Sequence, residues 1–331
     1  MNTASKKTSV GGQALIEGLL MIGPGKVAIA IRKPDQGIDL QVKPKAPMTL
    51  VQKIPLIRGA VNLFRQMKIG VGALMYSARY MELEDEETEE EGTDKAEQSK
   101  LERFLEEKFG DKAKDIIILA AVVLSLCFTV GLFILLPNFI AGFIPLNKTE
   151  RSGLILSNLC EGVIRVSLFL SYLALSSRLQ EINRLWQYHG AEHKTIHCYE
   201  NGGELEIENI KKYSIKHPRC GTSFLFLVMI ISILVFSLVD LAALGLRFEL
   251  TGVFRALYSL SIRLVTIPLI AGAAYEVIKL SGRHDNIVTR AVSAPGLLFQ
   301  KFTTREPDDG MIEVAIVAFT NALSGDETDN A

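Results

Sequence analysis

The sequence predicts a mainly α-helical, polytopic membrane protein with four transmembrane helices and a cytoplasmic cap containing a small β unit. Three observations predict it. Residues 116–144 run for 29 positions without a charged side chain, more than the roughly 20 helical residues that cross a bilayer core. Hydrophobic residues make up 48% of the 331-residue chain although 22% are charged, so the charge must be gathered elsewhere. Ten acids and one Lys fall between Glu82 and Glu97, leaving 35 basic against 27 acidic residues in the remainder. That basic excess suits a membrane protein with basic cytoplasmic loops. Together these features exclude a wholly soluble, a secreted and a disordered protein.

The elements follow in order. Residues 1–57 read as a cytoplasmic strand-containing unit. Lys26–Ile31 and Ile38–Val42 alternate apolar and polar positions around the turn Pro34-Asp35-Gln36-Gly37. The Gly-rich stretch from Gly18 to Lys26 is not a phosphate-binding loop. Val27 stands where Ser or Thr is required and Leu20 where the first Gly belongs. Residues 58–81 read as an amphipathic helix with a stripe of Val61, Phe64, Met67, Val71, Leu74, Met75 and Ala78. Arg58, Arg65, Lys68 and Arg79 suit it to the inner membrane surface, and packing on the cytosolic domain is the alternative. Residues 82–100 form an acidic linker.

Residues 101–177 and 222–279 hold two transmembrane hairpins, with spans at about 115–144, 153–177, 222–246 and 251–279. Lys and Arg flank the first span, fill 178–221 and follow the fourth span, which puts both termini and the 178–221 loop in the cytoplasm. Glu161, Arg165, Asp240, Arg255 and Arg263 lie within spans. Such charges are functional candidates unless paired, and their matching depths favour helix-to-helix pairing. Residues 280–331 form a cytoplasmic C-terminal segment with a short helix from Met311 to Leu323. No cleavable signal peptide is expected, because the first long apolar run starts only at residue 116. Cys127 and Cys160 sit in apolar segments, whereas Cys198 and Cys220 lie beside His residues, a reduced or metal-binding context. Basic residues do not cluster with aromatics, so nucleic acid is not an expected partner.

The chemistry concentrates in 178–221. His189, His193 and His197 are spaced by four, and on a helix they share an arc of about 140° with Glu192 and Glu200. Imidazoles four apart on a helix grip one metal ion. His189-x-x-Glu192-His193 is also the inverted zincin pattern, in which two His bind zinc and the Glu acts as base. A third, carboxylate ligand then comes from elsewhere: Glu276 is the first choice and Glu17 the second. His217-Pro-Arg-Cys220 has half-site spacing for zinc. It either closes a structural site with His193 and His197 or brings His217 to a catalytic metal as an electrophile.

Gly11–Gly18, Tyr188–Glu200, His217–Phe224 and Thr303–Asp309 resemble the corresponding motifs of the YqhQ-like bacterial membrane protein family, the domain of unknown function 1385. That resemblance implies a multi-pass bacterial inner-membrane protein and a metal-dependent enzyme. The leading expectation is a membrane-embedded hydrolase, in its narrower form a peptidase, using zinc or another divalent metal at the cytoplasmic interface. It would act on a membrane or membrane-associated substrate. The alternatives are a non-enzymatic scaffold with a structural metal site and a small-solute or ion transporter.

Overall fold

The computed structural model describes residues 8–47, 49–91, 113–147, 150–217, 220–243, 252–283 and 286–323. They belong to two compact units, one comprising Met1–Tyr80 with Leu173–Ala331 and the other Met81–Tyr172.

In the first unit the chain begins as a four-stranded antiparallel meander of β1 (Gly11–Leu15), β2 (Gly18–Ile22), β3 (Lys26–Arg32) and β4 (Ile38–Pro44). Register is set by short connections, pairing Leu15 with Gly18, Ile22 with Val27 and Arg32 with Ile38. β3 and β4 lie where alternation places them. β2 falls in the stretch that reads as Gly-rich, Gly18–Lys26, and β1 lies just before it. The signal for β2 is its unbroken apolar run Leu19-Leu20-Met21-Ile22, which marks a strand buried on both faces.

Both faces are indeed covered. Leu19, Met21, Ala28 and Ala30 meet α5 (Gln180–Glu200) and the C-terminal α10 (Asp309–Leu323) in one core. Leu15, Leu20, Val27, Ile29 and Ile31 meet Ile69, Ala73, Tyr76 and Tyr80 of α1 (Ile57–Glu91). The Asp308 carboxylate caps α10 by accepting the Met311 N–H at 2.8 Å. Ala315, Ala318 and Ala322 let that helix lie close to the sheet. At its end a Cβ on Gly23 would fall 2.1 Å from the Ala322 carbonyl oxygen. Fully buried Phe319 supplies about 1.5–3 kcal/mol of apolar burial to this core.

The unit also holds α6 (Ile207–Ile210), α7 (Gly221–Ala243), α8 (Gly252–Arg283) and α9 (Ile287–Thr303). The second unit holds α2 (Ala113–Val130), a π turn (Gly131–Leu135) and α3 (Leu136–Gly142); α4 (Arg151–Ser176) begins in it. Among the described residues, four helical stretches are long and apolar enough to cross a membrane: Val123–Gly142, Arg151–Ser176, Phe224–Ala242 and Leu260–Leu280. They fall on the four spans the sequence predicts.

Within the second unit, the in-span charges are paired. Glu161 binds Arg165 one turn on at 2.6 Å and accepts from Asn138 at 3.2 Å. Arg165 Nε donates to the Phe133 carbonyl at 3.0 Å. A π turn interrupts the regular ladder and makes such a carbonyl available. In the first unit the Arg263 guanidinium stands 5.3 Å from the Phe236 ring centroid. The Arg255 side chain lies outside the described residues. Residues 92–100 of the acidic linker also lie outside them; residues 82–91 continue α1.

Candidate metal centre

Along α5 every residue from Tyr188 to Ile196 is buried, although the run includes two His, a Glu, a Lys and a Thr. Burying polar groups without partners costs several kcal/mol, so the partners define the site. The helix can sink this deeply because Gly190 faces the chain just beyond α9: a Cβ there would lie 1.9 Å from the Arg305 carbonyl oxygen. The Arg305 N–H donates to the Trp186 carbonyl at 2.9 Å, and Glu306 pairs with buried Lys194 at 2.7 Å. The motif Thr303–Asp309 is thus a strap laid across α5.

That strap and the loop before α7 orient two imidazoles. His189 Nδ1 meets the Thr303 carbonyl at 2.6 Å, and His193 Nδ1 meets the Ile215 carbonyl at 2.5 Å. A carbonyl oxygen only accepts, so each Nδ1 carries the proton and each Nε2 is left for another role. The Nε2 of His189 lies 3.1 Å from Cys220 Sγ. The Nε2 of His193 is buried without a hydrogen-bond partner. Ligating atoms of His189, His193 and Cys220 all lie within 4.8 Å of one another. One thiol proton can satisfy one imidazole, so the other is left unmatched. Burial pushes His193 below its ordinary imidazole range.

Glu192 lies beside this trio. Its Oε1 accepts the Gly12 N–H of β1 at 2.8 Å, and its Oε2 is buried without a partner. Burial pushes its carboxyl up to about 7, with the neighbouring His189 opposing. Gly12 permits the approach, since a Cβ there would stand 2.8 Å from Glu192 Cδ.

The other sequence candidates take separate places. His217 Nε2 faces Glu200 Oε2 at 3.5 Å, and the His217 ring lies 4.6 Å from that of His197 and 5.7 Å from that of His193. Buried Gln300 clasps the His217 backbone, accepting its N–H at 2.9 Å and donating to its carbonyl at 2.7 Å. His197 Nδ1 donates to the Ser214 carbonyl at 3.1 Å. His197 and His217 therefore form a layer next to the trio rather than part of it.

The expected carboxylate ligand is not there. Glu276 is taken by Arg58, whose Nε and Nη2 donate to its two oxygens, and by the Leu56 N–H. Glu17 is taken by Arg184 and the Tyr188 hydroxyl. Both carboxylates are engaged by those partners, and the group that stands beside His189 and His193 is the Cys220 thiol. Glu17 sits in the β1–β2 turn with φ of 49°, a left-handed conformation costly for a residue with a side chain; its two partners hold it there. Sequence reasoning missed Gly12, Ile215, Gln300 and Thr303. Only Thr303 and Gly12 carried a signal, as members of recurring motifs.

The fold and site define a mainly helical protein with four membrane-compatible helices and a buried His–His–Cys cluster under a small antiparallel sheet. The chain belongs to the family described as protein of unknown function (DUF1385), whose model matches residues 54–325. It is 32% identical over 319 residues to the "Uncharacterized protein YqhQ" of Bacillus subtilis (strain 168), covering 95% of this chain and 92% of that one. No solved structure matches it.

Proposed function

We propose that the protein is a membrane-embedded, metal-dependent hydrolase of amide or ester bonds, with His189, His193 and Cys220 as metal ligands. The observation that carries this reading is the surplus of acceptors: two imidazoles with Nδ1 already committed share a single thiol. A second-sphere carbonyl on Nδ1 is the usual companion of a metal-ligating imidazole. Three protein ligands with one position open is also the pattern of catalytic rather than structural zinc. Zinc or another divalent ion held there would supply Lewis-acid activation of water or of a carbonyl. Glu192, anchored through Oε1, would use Oε2 to take a proton from the attacking water and return it to the leaving group. His217, its backbone held by Gln300, would steady the neighbouring His layer.

The membrane part of the reading rests on exposure. Among the described residues of Phe224–Ala242 only Ser232 is buried, and of Val123–Gly142 only Pro137 and Ala141 are, leaving apolar surfaces that water does not tolerate at that size. The Lys and Arg distribution would place the site and both termini on the cytoplasmic side of the bacterial inner membrane.

Metal analysis of the purified protein tests the centre. One equivalent of zinc or another divalent ion is expected, lost in His193→Ala and Cys220→Ala and kept in Glu276→Gln and Glu17→Gln. Folded, metal-free wild type would overturn it. For catalysis, new protein N-termini and hydrolysed esters are compared in cells bearing wild type and Glu192→Gln. Identical products with metal retained would remove the hydrolase. A second reading, a scaffold with structural metal, is favoured by the burial of all three ligands, at 7%, 1% and 8% exposure for His189, His193 and Cys220. It would need a fourth protein ligand.

A further inference from the structure

One surface remains outside the site and the spans. Counting about 100° per residue from Phe64, Met67, Val71, Met75 and Leu74 fall within about 80° on either side. All are exposed: Phe64 66%, Met67 54%, Val71 57%, Met75 58% and Leu74 40%. The residues that pack on the sheet, Ile69, Ala73, Tyr76 and Tyr80, lie on the opposite side of the helix. The helix is therefore apolar on two faces, and only one of them is covered.

The flank and the root of α1 say what covers the other. Between Ile57 and Tyr80 there are four basic residues and no acid. Arg58 is used by Glu276; Lys68 and Arg79 stay exposed along the stripe. The root is fastened to the Lys279 end of α8. There a Cβ on Gly272 would lie 2.2 Å from the Leu56 carbonyl oxygen, and one on Gly59 would lie 2.8 Å from Gly272 Cα. Leu50, Val51, Ile54 and Ile57, in the chain that leads into this root, are exposed, as are Leu264, Val265, Ile267 and Leu269 of α8. The apolar face of α1 thus starts where the chain packs on a candidate span, toward that span's basic end.

We infer that α1 is an in-plane membrane anchor whose Phe64–Met75 stripe lies at the headgroup and upper acyl region of an anionic bilayer, with the sheet on its far side. A helix with one lipid-directed apolar face bordered by Lys and Arg binds such an interface through buried area and charge together. The consequence for the molecule is orientation: the sheet that donates the Gly12 N–H to Glu192 is held against the bilayer at a second place besides the spans. The inference rests on α8 crossing the membrane, and the test separates the two.

The full-length protein is reconstituted in vesicles containing phosphatidylglycerol, with or without acyl chains brominated near the headgroup. Phe64→Trp, Val71→Trp and Met75→Trp are compared with wild type, whose own Trp186 gives the background. Val265→Trp reports the span and Gln66→Trp the opposite side of α1. The expected result is loss of the added emission in brominated lipid for the three stripe positions and for Val265→Trp, with Gln66→Trp unaffected. Stripe positions that emit as water-exposed Trp would overturn the inference, as would blue-shifted emission insensitive to bromine, which shows protein covering the stripe. No quenching of Val265→Trp would instead overturn the membrane-spanning reading itself.

Discussion

Adding one methyl group at Gly12 should damage both the sheet and the centre. A Cβ there would lie 2.7 Å from the Leu20 carbonyl oxygen, 2.8 Å from Glu192 Cδ and 3.0 Å from Glu192 Oε1. Neither neighbour can yield cheaply, since one is backbone of the paired strand and the other a buried carboxylate. Overpacking of this kind costs about 1–3 kcal/mol, and losing the hydrogen bond from Gly12 to a carboxylate adds about 1.5–3 kcal/mol. Gly12→Ala is therefore expected to destabilise by about 3–5 kcal/mol, a fall of about 10 °C in apparent melting temperature. Gly11→Ala is the internal control, because a Cβ there meets nothing within 4 Å; it should change stability by less than about 0.5 kcal/mol. Thermal unfolding in detergent, followed by near-ultraviolet circular dichroism, reads both. In a Glu192→Ala background the penalty of Gly12→Ala should shrink by about 1 kcal/mol or more, since only the Leu20 contact remains. Equal melting temperatures for Gly11→Ala and Gly12→Ala would refute the seating of Glu192 against β1.

Three further perturbations follow from the same geometry. Glu192 has a folded value of about 7 against an ordinary 4.5, so the fold favours its protonated form. Its burial is harmless below pH 4.5, grows costly up to pH 7 and levels off above, at about 3 kcal/mol. Metal-free wild type should therefore lose stability relative to metal-free Glu192→Gln across that window, as melting curves against pH will read, whereas His193, shifted downward, contributes the opposite slope to both proteins. Gly190→Ala should cost more than about 3 kcal/mol, because the Arg305 carbonyl leaves no room. It should also lower metal retention by moving the Thr303 carbonyl off His189, which metal analysis of the folded fraction checks. Gln300→Ala removes both bonds to the His217 backbone and should cost about 2–4 kcal/mol, read by denaturant unfolding in detergent.

What could be read in the chain divides by the range of the interaction. The apolar helices were legible because length and composition alone decide them. The His stripe was legible because a four-residue spacing on a helix fixes a face, and α5 does span Gln180–Glu200. β2 was hidden by the glycines around it: Gly18 and Gly23 made the stretch read as Gly-rich, yet each is required by close approach of the Ala30 and Ala322 carbonyls. The third member of the centre was hidden for another reason. A carboxylate near a basic helix end is as ready for an ion pair as for a metal, and the Arg that claims Glu276 lies 218 residues away. Nothing local distinguishes the two fates. Cys220 was visible as a half-site partner of His217, but the thiol goes to His189 while the imidazole goes to Glu200.

The sheet described above has a consequence in time. Its α1 face can be covered as soon as residue 80 is made, but the face that meets α10 waits for the last helix of the described chain. Arg32 finds Glu313 across 281 residues. At roughly 5–20 residues per second of synthesis, that interval is roughly 15–55 s. During it, Leu19, Met21, Ala28 and Ala30 lack the α10 part of their cover on the nascent chain. The cluster of His189, His193 and Cys220 closes only when the strap after Thr303 arrives. Assembly of the cluster is therefore a late event, and a ribosome stalled short of that strap would leave the sheet without α10 and the cluster unformed.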